Sequence, residues 1–249
     1  MTDIAAAAHT ATRFKPSYFF WLTLAMCFFV FGGFGMTYLF PLTQGSFPPA
    51  PPIVHLHGMI FFSWMLLLVT QSALVSAGNV RLHRSLGTYG IAHATVVLYT
   101  GALIQLIGSA RGMNAGRPAG TDGLFLGVLA VLGFGSMFTL AIRNVKRPQI
   151  HKYMMLFAML PVLPPGVNRF WYKLLGLDDA IPTFWLYLTL WSFAAALLIH
   201  ERRSTGKTSG YTLFGALWIL VQGAIHEAAV GSAWFEAFAQ GLLGMVRYR

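Results

Sequence analysis

The sequence predicts an all-α fold: a polytopic transmembrane helix bundle of about seven spans, with the N-terminus cytoplasmic and the C-terminus outside. Three observations lead there. Of 249 residues 56% are hydrophobic and only 10% charged, whereas a soluble domain carries about 25% charged residues. Nearly every residue lies in a long apolar run or in a short connection between two runs. The positive charges collect in alternate connections, as they do in chains oriented by a bilayer.

Crossing about 30 Å of hydrocarbon takes roughly 20 mostly apolar residues, and seven runs qualify, at approximately 18–40, 53–77, 87–109, 123–142, 150–172, 182–200 and 211–234. Residues 1–17 read as a polar cytoplasmic tail and 18–249 as a single transmembrane domain. The first run exceeds the roughly 7–15 residue core of a signal peptide and is expected to stay as an anchor. The fifth is the weakest, because Pro161, Pro164 and Pro165 interrupt it and NRFWYK ends it. Backbone carbonyls freed around LPPG must be buried in protein or face a cavity, since lipid offers no donor.

With the N-terminus inside, the cytoplasmic face holds Arg13, Lys15, Arg81, Arg84, Arg143, Lys146, Arg147, Lys152, Arg202, Arg203 and Lys207. The outer face holds Arg111, Arg117, Arg169, Lys173, Arg247 and Arg249. Eleven against six follows the positive-inside rule. The net charge of +10 therefore reads as orientation and not as a nucleic-acid footprint, because it forms no stripe on a solvent-exposed domain. Three cytoplasmic turns, RLHR, KRPQIHK and HERRSTGK, each join a histidine to basic residues, and attraction to anionic headgroups accounts for the basic ones. Cys27 is the only cysteine, so no intramolecular disulfide and no CxxC site exist.

Polar groups inside spans are costly and are functional candidates for that reason. His57 lies roughly 6 Å inside the outer end of the second span, and His226 lies roughly 22 Å from the inner end of the seventh, which sets both imidazoles in one outer layer. Arg169 is expected to reach that layer, Glu227 adjoins His226, and Gln222 shares a helix face with His226. His55 and His57 are about 200° apart on a regular helix, so one of them faces away from any common site. An inner layer holds His93 and His151, with His83 in the loop before the third span. Gly90, His93 and Gly101 fall near one face, where missing side chains let a flat ligand approach.

Neutral imidazole is a ligand for haem iron and for many transition metals. His57 with His226, and His93 with His151, are accordingly candidate haem or metal pairs. Against this stand plain alternatives: headgroup-facing turns for His83, His151 and His200, an interhelical hydrogen bond for His93, and an interfacial ion pair for Arg169 and Glu227. The tryptophans read as belt and packing residues, and GGFG at 32–35 as a site of close helix approach. The absence of HExxH, of clustered HxxxH and HxxHH motifs and of GxSxG argues against zincin, di-iron and hydrolytic chemistry.

LHRSLG at 82–87, then His93, QIHKYMM at 149–155 and NRFW at 168–171, resemble the His-Arg-x-x-Gly and His-Lys/Arg-x-Met motifs of an uncharacterised family of bacterial multi-spanning membrane proteins, similar in layout to membrane b-type cytochromes. The resemblance covers about residues 53–172. It implies a helical bundle with haem ligation at His57, His93 or His151, and leaves His226 outside.

The expectation is a bacterial inner-membrane protein that binds haem b and carries electrons, to or from a quinone. His57 and His226 would ligate iron, with His55, Arg169, Gln222 and Glu227 as quinone contacts or supports of the ligands, and with copper or no cofactor as the alternatives. A non-catalytic subunit or assembly factor held among other membrane subunits is a second expectation. A transporter or metal-handling protein, built on the broken fifth span, is a third.

Overall fold

The computed structural model describes residues 14–116, 123–177 and 183–245. Among these the secondary structure is entirely helical. Helix α1, Tyr18–Phe34, starts where Ser17 Oγ accepts the Phe20 N–H at 3.2 Å, and continues through a π turn, Gly35–Leu39, into α2, Phe40–Thr43. Next come α3, Pro52–Ser76, and α4, Val80–Asn114; α5, Leu124–Arg143, follows residues outside the description. The fifth run is α6, Pro148–Met159, a 3₁₀ turn, Leu160–Val162, and α7, Pro164–Leu174. The chain closes with α8, Thr183–Thr205, α9, Gly210–Ala229, and α10, Ala233–Gly244.

Five helical stretches are long and apolar enough to cross a membrane: Tyr18–Thr43, Pro52–Ser76, Val80–Asn114, Leu124–Arg143 and Thr183–Thr205. This is a membrane protein by length and composition.

Three boundaries correct the expectation. The LHRSLG segment is helical, and His83 sits in the first turn of α4 instead of in a loop. Asn79 caps that turn by accepting the Leu82 N–H, and no proline interrupts the chain before Asn114. At about 1.5 Å per residue this 35-residue helix is roughly 52 Å long, so its ends project beyond the hydrocarbon. The last apolar run stops at Ala229, where Gly231 turns the chain at φ +78, and the separate helix α10 follows. Phe235, Ala239 and Leu243, four residues apart, lay α10 against Ala110, Leu124 and Ala229.

The run with the weakest span signal forms the middle of the bundle. Tyr153, Met154, Phe157, Ala158, Met159 and Leu160 of α6 and its 3₁₀ turn are fully buried. A helix wrapped by protein need not be lipid-soluble, which is why its apolar signal is diluted. The prolines remove donors there, and the tightened turn compensates: Leu160 N–H bonds the Phe157 carbonyl and Leu163 N–H the Leu160 carbonyl. Pro161 and Leu163 are buried, so the 3₁₀ turn is sealed inside protein, whereas Pro164 is half-buried and Pro165 exposed.

The ends are tied in pairs. Ser17 bonds Ser76, Tyr18 hydroxyl donates to the Ala196 carbonyl, and Glu201 accepts the Ser209 N–H. One end of the bundle thereby gathers Lys15, Arg81, Arg84, Arg143, Lys146, Arg147, Lys152, Arg202, Arg203 and Lys207, leaving Arg111, Arg169 and Lys173 at the other. Near that second end Gly33 and Gly166 bring α1 and α7 together, since a Cβ at Gly33 would overlap the Gly166 carbonyl oxygen.

Candidate functional site

The histidines divide between the two ends. In the half away from the basic turns, His57 projects from α3 onto α4, with Nδ1 3.1 Å from Thr100 Oγ1 and its ring 6.0 Å from that of Phe61. Thr100 sends its own hydroxyl proton to the Val96 carbonyl, at 2.8 Å, so its oxygen accepts from Nδ1–H. The lone pair of His57 is then on Nε2. Gly101 has no side chain where His57 Cε1 would lie 3.7 Å from a Cβ, so the flat group that this glycine admits is the imidazole itself. Gly90 faces Leu67 in the same way.

His55 turns to another neighbour: its Nδ1 is 2.8 Å from the Tyr38 hydroxyl, and its ring lies against Phe47. His226, half-buried in the last turn of α9, tilts against Phe125 with centroids 6.4 Å apart. Gln222, one turn earlier, is buried. The side chain of Glu227 lies outside the described residues. Arg169 donates to the Pro165 carbonyl at 2.9 Å and lays its guanidinium 4.6 Å above the Phe34 ring, on the seam between α1 and α7.

The expected outer set is thus distributed over several seams. Helix α3 packs on α1 and α4, whereas α9 packs on α5, α6 and α8. Ring contacts join His57 to Phe61 and His226 to Phe125, and none joins the two histidines.

His93 has both ring nitrogens engaged. Nε2 donates to the Ile60 carbonyl at 3.0 Å, Nδ1 accepts from the Tyr89 hydroxyl at 3.0 Å, and the ring stacks on Trp64 at 5.8 Å. Together with Ser63, Tyr89 and Met59 it lines a shallow groove on the outer surface of α3 and α4. His151 is not beside His93. It donates from Nδ1 to the Ala141 carbonyl at 2.9 Å, and its ring neighbour is His83, 6.3 Å away at 77°. The inner pairing expected at equal depth is therefore replaced by one between the two motif histidines.

A second group at the basic end was not foreseen as a unit. His200 stacks on Tyr18 with centroids 4.0 Å apart and hydrogen-bonds the Tyr153 hydroxyl at 2.7 Å, while Lys152 lies over the Phe19 ring. Glu201 beside it is buried and caps the turn into α9. Its only sequence signal was an acidic residue amid HERR. Among the described residues no three His, Cys, Asp or Glu side chains gather as a metal cluster. The chain matches no protein-family model, no curated protein and no solved structure.

Proposed function

We propose that this chain is a bacterial inner-membrane, b-type haem-binding protein that carries electrons, exchanging them with a quinone. In this reading α6 with α7, and α9, add two crossings to the five long helices, giving seven spans with the N-terminus cytoplasmic and the C-terminus outside. The segregation of lysine and arginine to one end supports that orientation.

The observation that carries the reading is His57. It lies in an apolar span, commits Nδ1 to Thr100 and keeps Nε2 for a ligand bond. Ligating histidines are commonly oriented in this way by a partner on the other ring nitrogen. His57 would supply one axial nitrogen and Arg169 a headgroup contact, whereas His226 sits on α9, which packs on α5, α6 and α8 and not on α3. A second axial histidine would leave iron no open position, which suits electron transfer over oxygen chemistry.

The test is an absorption spectrum of the detergent-extracted protein before and after dithionite. Sharp reduced bands lost in His57→Ala support the reading, their loss in His226→Ala as well would assign the second ligand to α9, and a colourless, folded protein removes it. A non-catalytic subunit is favoured at one place, His93, whose bond to the Ile60 carbonyl holds α3 to α4 while Tyr89 of its own helix takes the other nitrogen, leaving none for iron.

A further inference from the structure

The two sequence motifs that the haem reading does not use meet at the basic end of the bundle. His83 belongs to HRSLG on α4 and His151 to HKYM on α6, and their rings are 6.3 Å apart. The His151 ring is anchored by a backbone carbonyl: Nδ1–H donates to Ala141, which leaves its lone pair on Nε2. Gln71, on α3, adjoins this first part of α4. His83 Nδ1 is buried with no hydrogen-bond partner among the described residues. The side-chain oxygen of the same Gln71 is also buried and without a partner there.

Two imidazoles and a side-chain amide thus lie at this end, and His83 Nδ1 and Gln71 Oε1 have no hydrogen-bond partner among the described residues. Anchoring one imidazole nitrogen on a backbone carbonyl while the other stays bare is the arrangement that metal-ligating histidines adopt. Metal–nitrogen bonds of about 2.0–2.1 Å to two imidazoles place their ring centroids about 5–6.5 Å apart, and the observed separation falls within that interval.

We infer that His83 Nδ1 and His151 Nε2, with Gln71 Oε1 as a third donor, form a site for a single borderline transition-metal cation of the zinc, cobalt, nickel or copper class. Nitrogen donors select this class over magnesium and calcium, which take oxygen. A bare cation also satisfies the Gln71 oxygen, which the apolar face of a porphyrin does not. With only two histidines and an amide, the coordination shell keeps a position for water or an exchanging ligand, which suits a loaded-and-released cation more than a permanent structural one. The neighbouring Arg84 guanidinium opposes the cation and keeps binding reversible. The site does not depend on the haem proposal and is formed by other helices.

The experiment uses tag-free full-length protein in detergent, stripped with EDTA and titrated with Co²⁺. Visible ligand-field bands that saturate at one equivalent and are displaced by Zn²⁺ are expected. His83→Ala and His151→Ala should each weaken the midpoint at least about tenfold, while His57→Ala and His93→Ala leave it unchanged. Size exclusion and circular dichroism confirm folding; if His83→Ala does not fold, His83→Gln takes its place, with the same loss expected. An absence of saturable binding, or binding indifferent to both motif histidines, overturns the inference and leaves water as the partner of the two bare acceptors.

Discussion

The histidines at the two ends of the bundle differ in how they meet. At the basic end His83 and His151 project from α4 and α6 onto each other, and His151 is held by the Ala141 carbonyl. In the opposite half, His57 and His226 lie on α3 and α9, which pack against different neighbours. Each touches a phenylalanine instead of the other histidine. Equal depth in a bundle is a statement about rise along an axis. Contact also requires that the helices be neighbours and that the side chains share a direction.

Cross-linking gives the largest expected difference between the two ends. In a Cys27→Ala background, paired cysteines at 83 and 151 should be bridged nearly completely by a short bifunctional thiol reagent, and cysteines at 57 and 226 hardly at all. Intact mass reads the result. Equal bridging of both pairs would break the contrast and place His226 beside α3.

Gly101→Leu acts on the outer half alone. A Cβ at 101 would sit in ordinary contact with His57 Cε1 at 3.7 Å, so the branched atoms beyond it are expected to push the ring off Thr100. Overpacking of this kind costs about 1–3 kcal/mol, measurable as a fall in the thermal midpoint in detergent. Any haem spectrum should be lost with it, while cobalt binding at the basic end persists. Loss of both signals would show that the two ends are coupled through α4.

Much of the fold was legible, because apolar runs of span length are a strong signal. The α6–α7 segment was legible only as a weak span: Tyr153 and Pro161 are accommodated by burial in protein, which composition cannot register. The loop assigned to LHRSLG came from reading its charges as a boundary, although Asn79 and an uninterrupted run to Asn114 sustain a helix through it. The stripe of Phe235, Ala239 and Leu243 carried a period-of-four signal for α10 that was submerged in the preceding apolar run. Among the site residues, the divergence of His55 from His57 could be read from helical angle. The partners of His151 and His226 could not, since one chain does not reveal which helices adjoin.

His93 is the internal control. His93→Phe keeps a flat ring against Trp64 but removes the bonds to the Ile60 carbonyl and from the Tyr89 hydroxyl. Only the bond to Ile60 joins two helices, and such bonds are worth about 0.6 kcal/mol on average in membranes; with the Tyr89 bond inside α4 also lost, a fall of about 1 kcal/mol in stability is expected. Neither the dithionite spectrum nor cobalt binding should move. A change in either would give His93 a ligand role that both its nitrogens are now too occupied to fill.

The smallest effect, and the finest test of the outer half, comes from Thr100→Val. The substitution keeps the shape of the side chain and deletes the oxygen that accepts from His57 Nδ1–H. One interhelical hydrogen bond disappears, about 0.6 kcal/mol, close to the limit of detection by unfolding. The informative readout is the ring itself. With the acceptor gone, nothing in the structure holds the proton on Nδ1, and nitrogen-15 shifts of selectively labelled His57 should change from a single Nδ1–H form to a mixture of tautomers. If His57 ligates a metal centre through Nε2, the bond to Thr100 also supports its basicity, and the midpoint potential should shift in the variant while the spectrum remains. An unchanged tautomer would mean that Thr100 does not orient the ring, and the outer half would lose the one feature that resembles the carbonyl-anchored His151 at the basic end.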